Sequence, residues 1–243
     1  MADRVAGGAG LLLGLYSFVL PHTPAPAKGK KVSVREILGL DSLKLLARPA
    51  YFVFVVCSLL ICIPLAGYYS FARNFVEYTG FANPTLTMSY GQVSEIFFML
   101  AMPLFFARLG VKWMLAVGML AWVARYGLFS AAAPDKVMWM TLLGVLLHGI
   151  CYDFFFVTGF IYVDREASKE VRGQAQGFLV LITQGLGLGI GAQMFGTLVD
   201  RNTTGGVMDW KTIWAVPAGF ALAVLVLFML AFRERRASQT STG

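Results

Sequence analysis

Six stretches of the chain are each long and apolar enough to cross a lipid bilayer, and this limits the fold more than any motif does. A helix rises about 1.5 Å per residue, so about 20 apolar residues traverse the hydrocarbon. The stretches lie at approximately 50–72, 86–107, 110–132, 137–163, 172–199 and 212–232. Turn and breaker residues separate them, as in Gly80-Phe81-Ala82-Asn83-Pro84, Ala133-Pro134-Asp135 and Asn202-Thr203-Thr204-Gly205-Gly206. Composition closes off the soluble alternative. Of 243 residues, 58% are hydrophobic and 14% charged, where a soluble domain carries about 25% charged residues. The expectation is an all-α integral membrane protein, residues 50–232 forming a six-helix bundle.

A seventh run, Ala6 to Leu20, is too short to cross comfortably. Ala25-Pro26-Ala27 imitates a signal-peptide cleavage site, yet the leading Met-Ala-Asp-Arg has no net charge where a signal peptide needs a basic start. A shortened membrane helix over 1–20 is the preferred reading. Residues 21–49 then form a linker, in which Val32 to Leu38 and Leu43 to Leu46 have the pattern of a short amphipathic helix on the inner leaflet. The 233–243 tail is polar.

Lys and Arg set the orientation. Lys28, Lys30, Lys31, Arg35, Lys44 and Arg48 precede the first full span. Arg108, Lys112, Arg165, Lys169, Arg172, Arg233, Arg235 and Arg236 fall on the same side. Only Arg73, Lys136, Arg201 and Lys211 fall opposite. The 21–49 segment and the C-terminus are therefore expected in the cytoplasm, with the chain in the cytoplasmic membrane. The formal net charge of +7 sits in these loops, a distribution that fits membrane orientation and not a nucleic-acid face. Cys57, Cys62 and Cys151 all lie inside apolar runs and read as small buried hydrophobes.

An ionisable group near the bilayer centre costs roughly 2.5–3.5 kcal/mol or more, so each one needs a reason. Four stand inside the runs: Glu95, Arg125, His148 and Asp153. Gln92 and Glu95 are three apart and share a helix face. They read as a solute contact and a protonatable carboxylate, or else Glu95 is one end of an interhelical salt bridge to Arg125. His148 and Tyr152 also share a face, with Asp153 about 100° further round. Histidine with a carboxylate is the material of a proton relay. Arg125 is expected as the charge partner of Glu95 or Asp153. Gln184 to Gly191 superficially matches a dinucleotide-binding loop, but no strand–turn–helix surrounds it. Its Gly185/Gly189 and Gly187/Gly191 pairs read instead as helix-packing positions. Pro64, Pro103 and Pro217 mark kinks. No nucleophile elbow and no His-rich metal spacing is present, so neither an enzyme nor a metal site is expected.

Several segments together resemble the nucleoside–proton symporters of the major facilitator superfamily. They are Gly110 to Trp113, Ala121 to Phe129, Tyr152-Asp153-Phe154-Phe155, Arg172 to Gly177 and Asp209 to Trp214. The likeness runs from about residue 10 to 232. It implies the C-terminal, six-helix half of a twelve-helix transporter, with 1–20 as the end of the sixth helix and an N-terminal half expected for activity. It also implies that Gln92, Glu95, His148, Tyr152 and Asp153 line the solute site and that Glu95 and Asp153 couple protons. Where the family offers polar groups on the first helix of this half, Cys62-Ile63-Pro64-Leu65-Ala66 is apolar. The expected solute is accordingly a nucleoside or a related polar, ring-bearing molecule. The expected energy source is the proton gradient, with no cofactor. The rival expectation is a non-transporting membrane module that assembles with a separately encoded partner.

Overall fold

The computed structural model describes residues 2–21 and 41–233. The chain divides into two compact units, Met1–Ile37 and Leu38–Gly243. In the first, the described residues form one helix, α1 (Ala2–Ser17). Its 16 residues extend about 24 Å, short of a full hydrocarbon crossing. Val32 to Leu38, His22 and the tail beyond Arg233 lie outside the described residues.

The described residues of the second unit are helical apart from short connections and one small hairpin. A short 3₁₀ turn, Ser42–Ala47, replaces the amphipathic helix expected over Leu43 to Leu46. Leu45 is buried rather than laid on a membrane surface. Arg48 is extended at ψ 117° because a residue before proline avoids the helical region. Pro49 then opens α2 (Pro49–Tyr78). Asn83 caps the next helix by accepting the Leu86 N–H at 3.2 Å, again with proline at the first helical position.

That next run, Pro84–Ala132, holds 49 residues and would be about 74 Å long if straight, more than twice the hydrocarbon thickness. It folds back at Gly110, whose φ of 66° belongs to a region that side chains rarely enter. The arms 84–109 (α3) and 111–132 (α4) return alongside one another's partner. Met102 on one arm and Met114 on the other both pack with Phe154, and Glu95 and Arg125 reach the same imidazole. The remaining helices are α5 (Met138–Glu166), α6 (Arg172–Arg201) and α7 (Trp210–Ala231). Among the described residues, five helical runs are thus long and apolar enough to span, and the longest is two arms. This is an all-α, multi-pass membrane fold.

Between α6 and α7, Thr203–Thr204 pairs antiparallel with Val207–Met208 across Gly205 and Gly206. Both glycines have positive φ, at 58° and 81°, as a two-residue hairpin turn requires. Aromatic rings fill the core that α2, α4, α6 and α7 share. Trp214 stacks on Tyr126 at 5.9 Å and meets Phe75, Phe129 and Phe195 within 5.7 Å. Outward faces are apolar too: Leu100, Leu104 and Leu230 are more than two-thirds exposed, as suits a lipid solvent.

Only one of the two glycine pairs of α6 packs against another helix. A Cβ on Gly187 would sit 2.7 Å from Cys62 Cβ, and one on Gly191 would sit 2.4 Å from the Ile63 carbonyl oxygen. Gly189 has nothing within 4 Å, and Gly185 meets only Leu181 of its own helix. At one end of the bundle, Arg48 bonds the Glu166 carboxylate at 2.8 Å, tying the start of α2 to the end of α5. Asp164 there accepts from Gln176 and pairs with Arg172 at 3.6 Å, tying in α6.

Candidate functional site

The charged residues flagged in the sequence converge from three helices. Helix α5 is interrupted at Leu147 and widens into a π-helical turn over Tyr152–Val157, a device that concentrates at functional sites. The interruption lets Gly149 turn its backbone N–H outward, to Ser94 Oγ on α3 at 3.0 Å. Ser94 in turn donates to the Gly91 carbonyl at 2.8 Å. Gly91 and Gly149 lack the side chains that would hold the helices apart. A Cβ on Gly91 would meet His148 Cβ at 3.1 Å, and one on Gly149 would meet the Ser94 carbonyl oxygen at 2.5 Å.

This contact brings Glu95 Oε2 to 3.7 Å from His148 Nε2. The other imidazole nitrogen, Nδ1, lies 3.3 Å from an Arg125 guanidinium nitrogen on α4. Among the described residues, no salt bridge joins Arg125 to Glu95 or to Asp153. His148 stands between the Arg125 cation and the Glu95 carboxylate. The reason is steric, because the glycine contacts press α5 against α3 and place the imidazole in the gap. Arg125 is wholly buried, and among the described residues its Nε and one terminal nitrogen have no hydrogen-bond partner. Its charge rests instead on the Tyr68 ring, 4.1 Å from the guanidinium carbon.

Tyr152 lies beside His148 with ring centroids 6.0 Å apart, as their shared face predicts. Asp153 is wholly buried, and among the described residues neither carboxylate oxygen has a hydrogen-bond partner. Gln92 is exposed and turned onto its own helix. With its amide nitrogen as donor it bonds the Met88 carbonyl at 3.0 Å and the Ser89 carbonyl at 3.3 Å. Sequence reasoning missed Tyr68, which stacks on His148 with centroids 5.7 Å apart and planes 16° apart. Two adjacent tyrosines, Tyr68 and Tyr69, inside an apolar span were the available signal.

A separate cavity of about 370 Å³ lies between α2, α6 and α7, lined by residues including Pro64, Gly191, Phe195 and Pro217. Its walls are apolar, and it contains none of the four intramembrane ionisable residues. Among the described residues, no group of three or more His, Cys, Asp or Glu is placed to hold a metal ion.

Comparison with known proteins places this geometry. The family model described as nucleoside H⁺ symporter matches residues 2–237. Two Escherichia coli (strain K12) relatives are a candidate nucleoside transporter, YegT, 40% identical over 95% of this chain, and a xanthosine permease, 32% identical over 94%. Nucleoside permease NupG of the same organism is 30% identical over 92%. The chain covers 56%, 57% and 56% of those three proteins, so it spans about half the length of the curated relatives it matches. Two crystal structures of nucleoside transporter NupG also superimpose. A substituted form has a TM-score of 0.80 at 27% identity, covering 94% of this chain and 60% of that one. The other has a TM-score of 0.75 at 28% identity, covering 95% and 60%. These relatives are named as transporters and permeases, not enzymes. With the family model matched along nearly its whole length, the chain belongs to the nucleoside H⁺ symporter family.

Proposed function

We propose that this chain is the C-terminal, six-helix portion of a proton-coupled transporter for nucleosides or a closely related ring-bearing solute. Family membership supports the transport class. The observation that carries the mechanism is the approach of Glu95 to His148 across the α3–α5 contact, with Asp153 buried five residues further along α5. A carboxylate in such surroundings is neutralised by taking a proton or by meeting a cation. Glu95 and Asp153 therefore exchange the coupling proton. His148 and Tyr152 bind the solute. Gln92 joins them by releasing the carbonyls of its own helix. The 21–49 segment and the C-terminus lie in the cytoplasm, following the Lys and Arg bias.

Labelled-nucleoside uptake by the complete transporter tests this reading, with Glu95→Gln and Asp153→Asn as variants. Each is expected to abolish the dependence of uptake on the proton gradient. Unchanged pH-dependent uptake in both would overturn the proton role. Alternating access moves one repeat or bundle against another. Residues 1–243 alone are accordingly expected not to transport, and robust uptake by the purified chain in liposomes would refute the half-transporter assignment.

A further inference from the structure

We infer that Arg125 is a positioning residue that fixes the tautomer of His148, so that the imidazole presents its only N–H to Glu95. A guanidinium carries donors and no acceptor. At 3.3 Å from Arg125, His148 Nδ1 must therefore be the accepting nitrogen. The proton of the neutral ring then sits on Nε2, the nitrogen that faces Glu95 Oε2 at 3.7 Å. That distance lies just beyond hydrogen-bond reach, so a small movement of either side chain closes it.

The arrangement is held from both sides. Arg125 is clamped over the Tyr68 ring, and the same ring stacks on His148. The titratable and charged groups that face the imidazole are Tyr68 from α2, Glu95 from α3, Arg125 from α4 and Tyr152 from its own helix. A proton added at Nδ1 would point at a guanidinium N–H, setting two donors and two cations against each other. His148 is thus a fixed hydrogen-bond donor and not a carrier in a proton relay, which leaves proton exchange to the carboxylates. This last consequence rests on the transport reading; the tautomer does not.

The chain has only two histidines, His22 and His148, so His22→Gln leaves a single imidazole to observe. Nitrogen-15 NMR of histidine-labelled His22→Gln chain, reconstituted in lipid, reads the tautomer directly. Between about pH 5 and 8, the expected spectrum shows an unprotonated Nδ1 and a protonated Nε2. A protonated Nδ1, or an imidazolium within that range, overturns the inference whatever any variant does. Arg125→Lys is expected to keep the tautomer, while Arg125→Met is expected to give a mixture. An unmixed Nε2–H spectrum in a folded Arg125→Met chain would also overturn it. If Arg125→Met fails to fold, the spectrum of the otherwise native ring still decides. Because the measurement needs neither solute nor gradient, a failed uptake experiment and a failed tautomer assignment remain separate results.

Discussion

The backbone N–H of Gly149 donates to Ser94 Oγ at 3.0 Å, a hydrogen bond between helices that share no sequence neighbourhood. It marks where α5 lies directly against the α3 backbone, one residue from both members of the Glu95–His148 pair. The spacing of that pair follows from the absence of a side chain at position 149.

Substituting Gly149→Ala would place a Cβ 2.5 Å from the Ser94 carbonyl oxygen, a backbone atom that cannot rotate away. The helices must separate, at a cost of about 1–3 kcal/mol. Thermal unfolding in detergent should show a lowered midpoint. Gly189→Ala, with nothing within 4 Å, serves as the control. It is expected to leave the midpoint unchanged or raise it, since alanine favours a helix by about 1 kcal/mol over glycine.

The two amides that mimic opposite edges of an imidazole should separate the roles of His148. In His148→Gln the amide nitrogen falls near Nε2 and can still donate toward Glu95. In His148→Asn it falls near Nδ1, against Arg125. Uptake by the complete transporter is expected to survive better in His148→Gln, with its pH profile intact. Equal loss in both variants would show that donation toward Glu95 is not what the ring supplies.

Trp214 is wholly buried at the junction of α2, α4, α6 and α7, touching rings from all of the other three. Trp214→Ala should cost about 3–5 kcal/mol, the range for removing a large aromatic side chain from a packed core. Loss of monodisperse chain on size exclusion after mild heating would register it. Trp113→Ala removes a half-exposed ring of the same type and should be far milder.

Asp209 caps α7, accepting from the Thr212 N–H at 3.3 Å and from the Thr212 hydroxyl at 2.6 Å. Those bonds to Thr212 hold its carboxyl below the usual range. A carboxylate with a depressed folded value stabilises above its unfolded value, about 3.9. That stability disappears as pH falls through the folded value. Asp209→Ala is expected to lower the unfolding midpoint at neutral pH by the equivalent of about 1 kcal/mol. Asp209→Asn, which keeps an accepting oxygen, should lose less and should flatten the acid limb. A midpoint in Asp209→Ala equal to that of the native chain would show that the cap does not hold α7.

How far the sequence could be read depended on the scale of the feature. The spans were legible because a hydrocarbon crossing demands a long apolar run, and length survives any rearrangement of partners. Ends were less so: α2 continues to Tyr78, past the expected 72, because helical backbone pairs its own polar groups whether or not lipid surrounds it. Arg125 illustrates the other limit. Cost alone says that a buried cation needs company, and the obvious company was a carboxylate. The structure supplies an aromatic face and an imidazole nitrogen instead, a choice that no spacing rule encodes.

By itself, then, the sequence determined that this chain is a bundle of membrane helices carrying four costly ionisable groups, because both conclusions follow from transfer out of water, a property of each residue and its near neighbours. The tertiary structure decided which groups meet. Gly110 reverses the longest run so that Glu95 and Arg125 reach the same imidazole, and Gly91 and Gly149 set how closely they do so. Those relations depend on backbone reversal and on the contact distance between helices, and neither is a property of any one stretch of sequence.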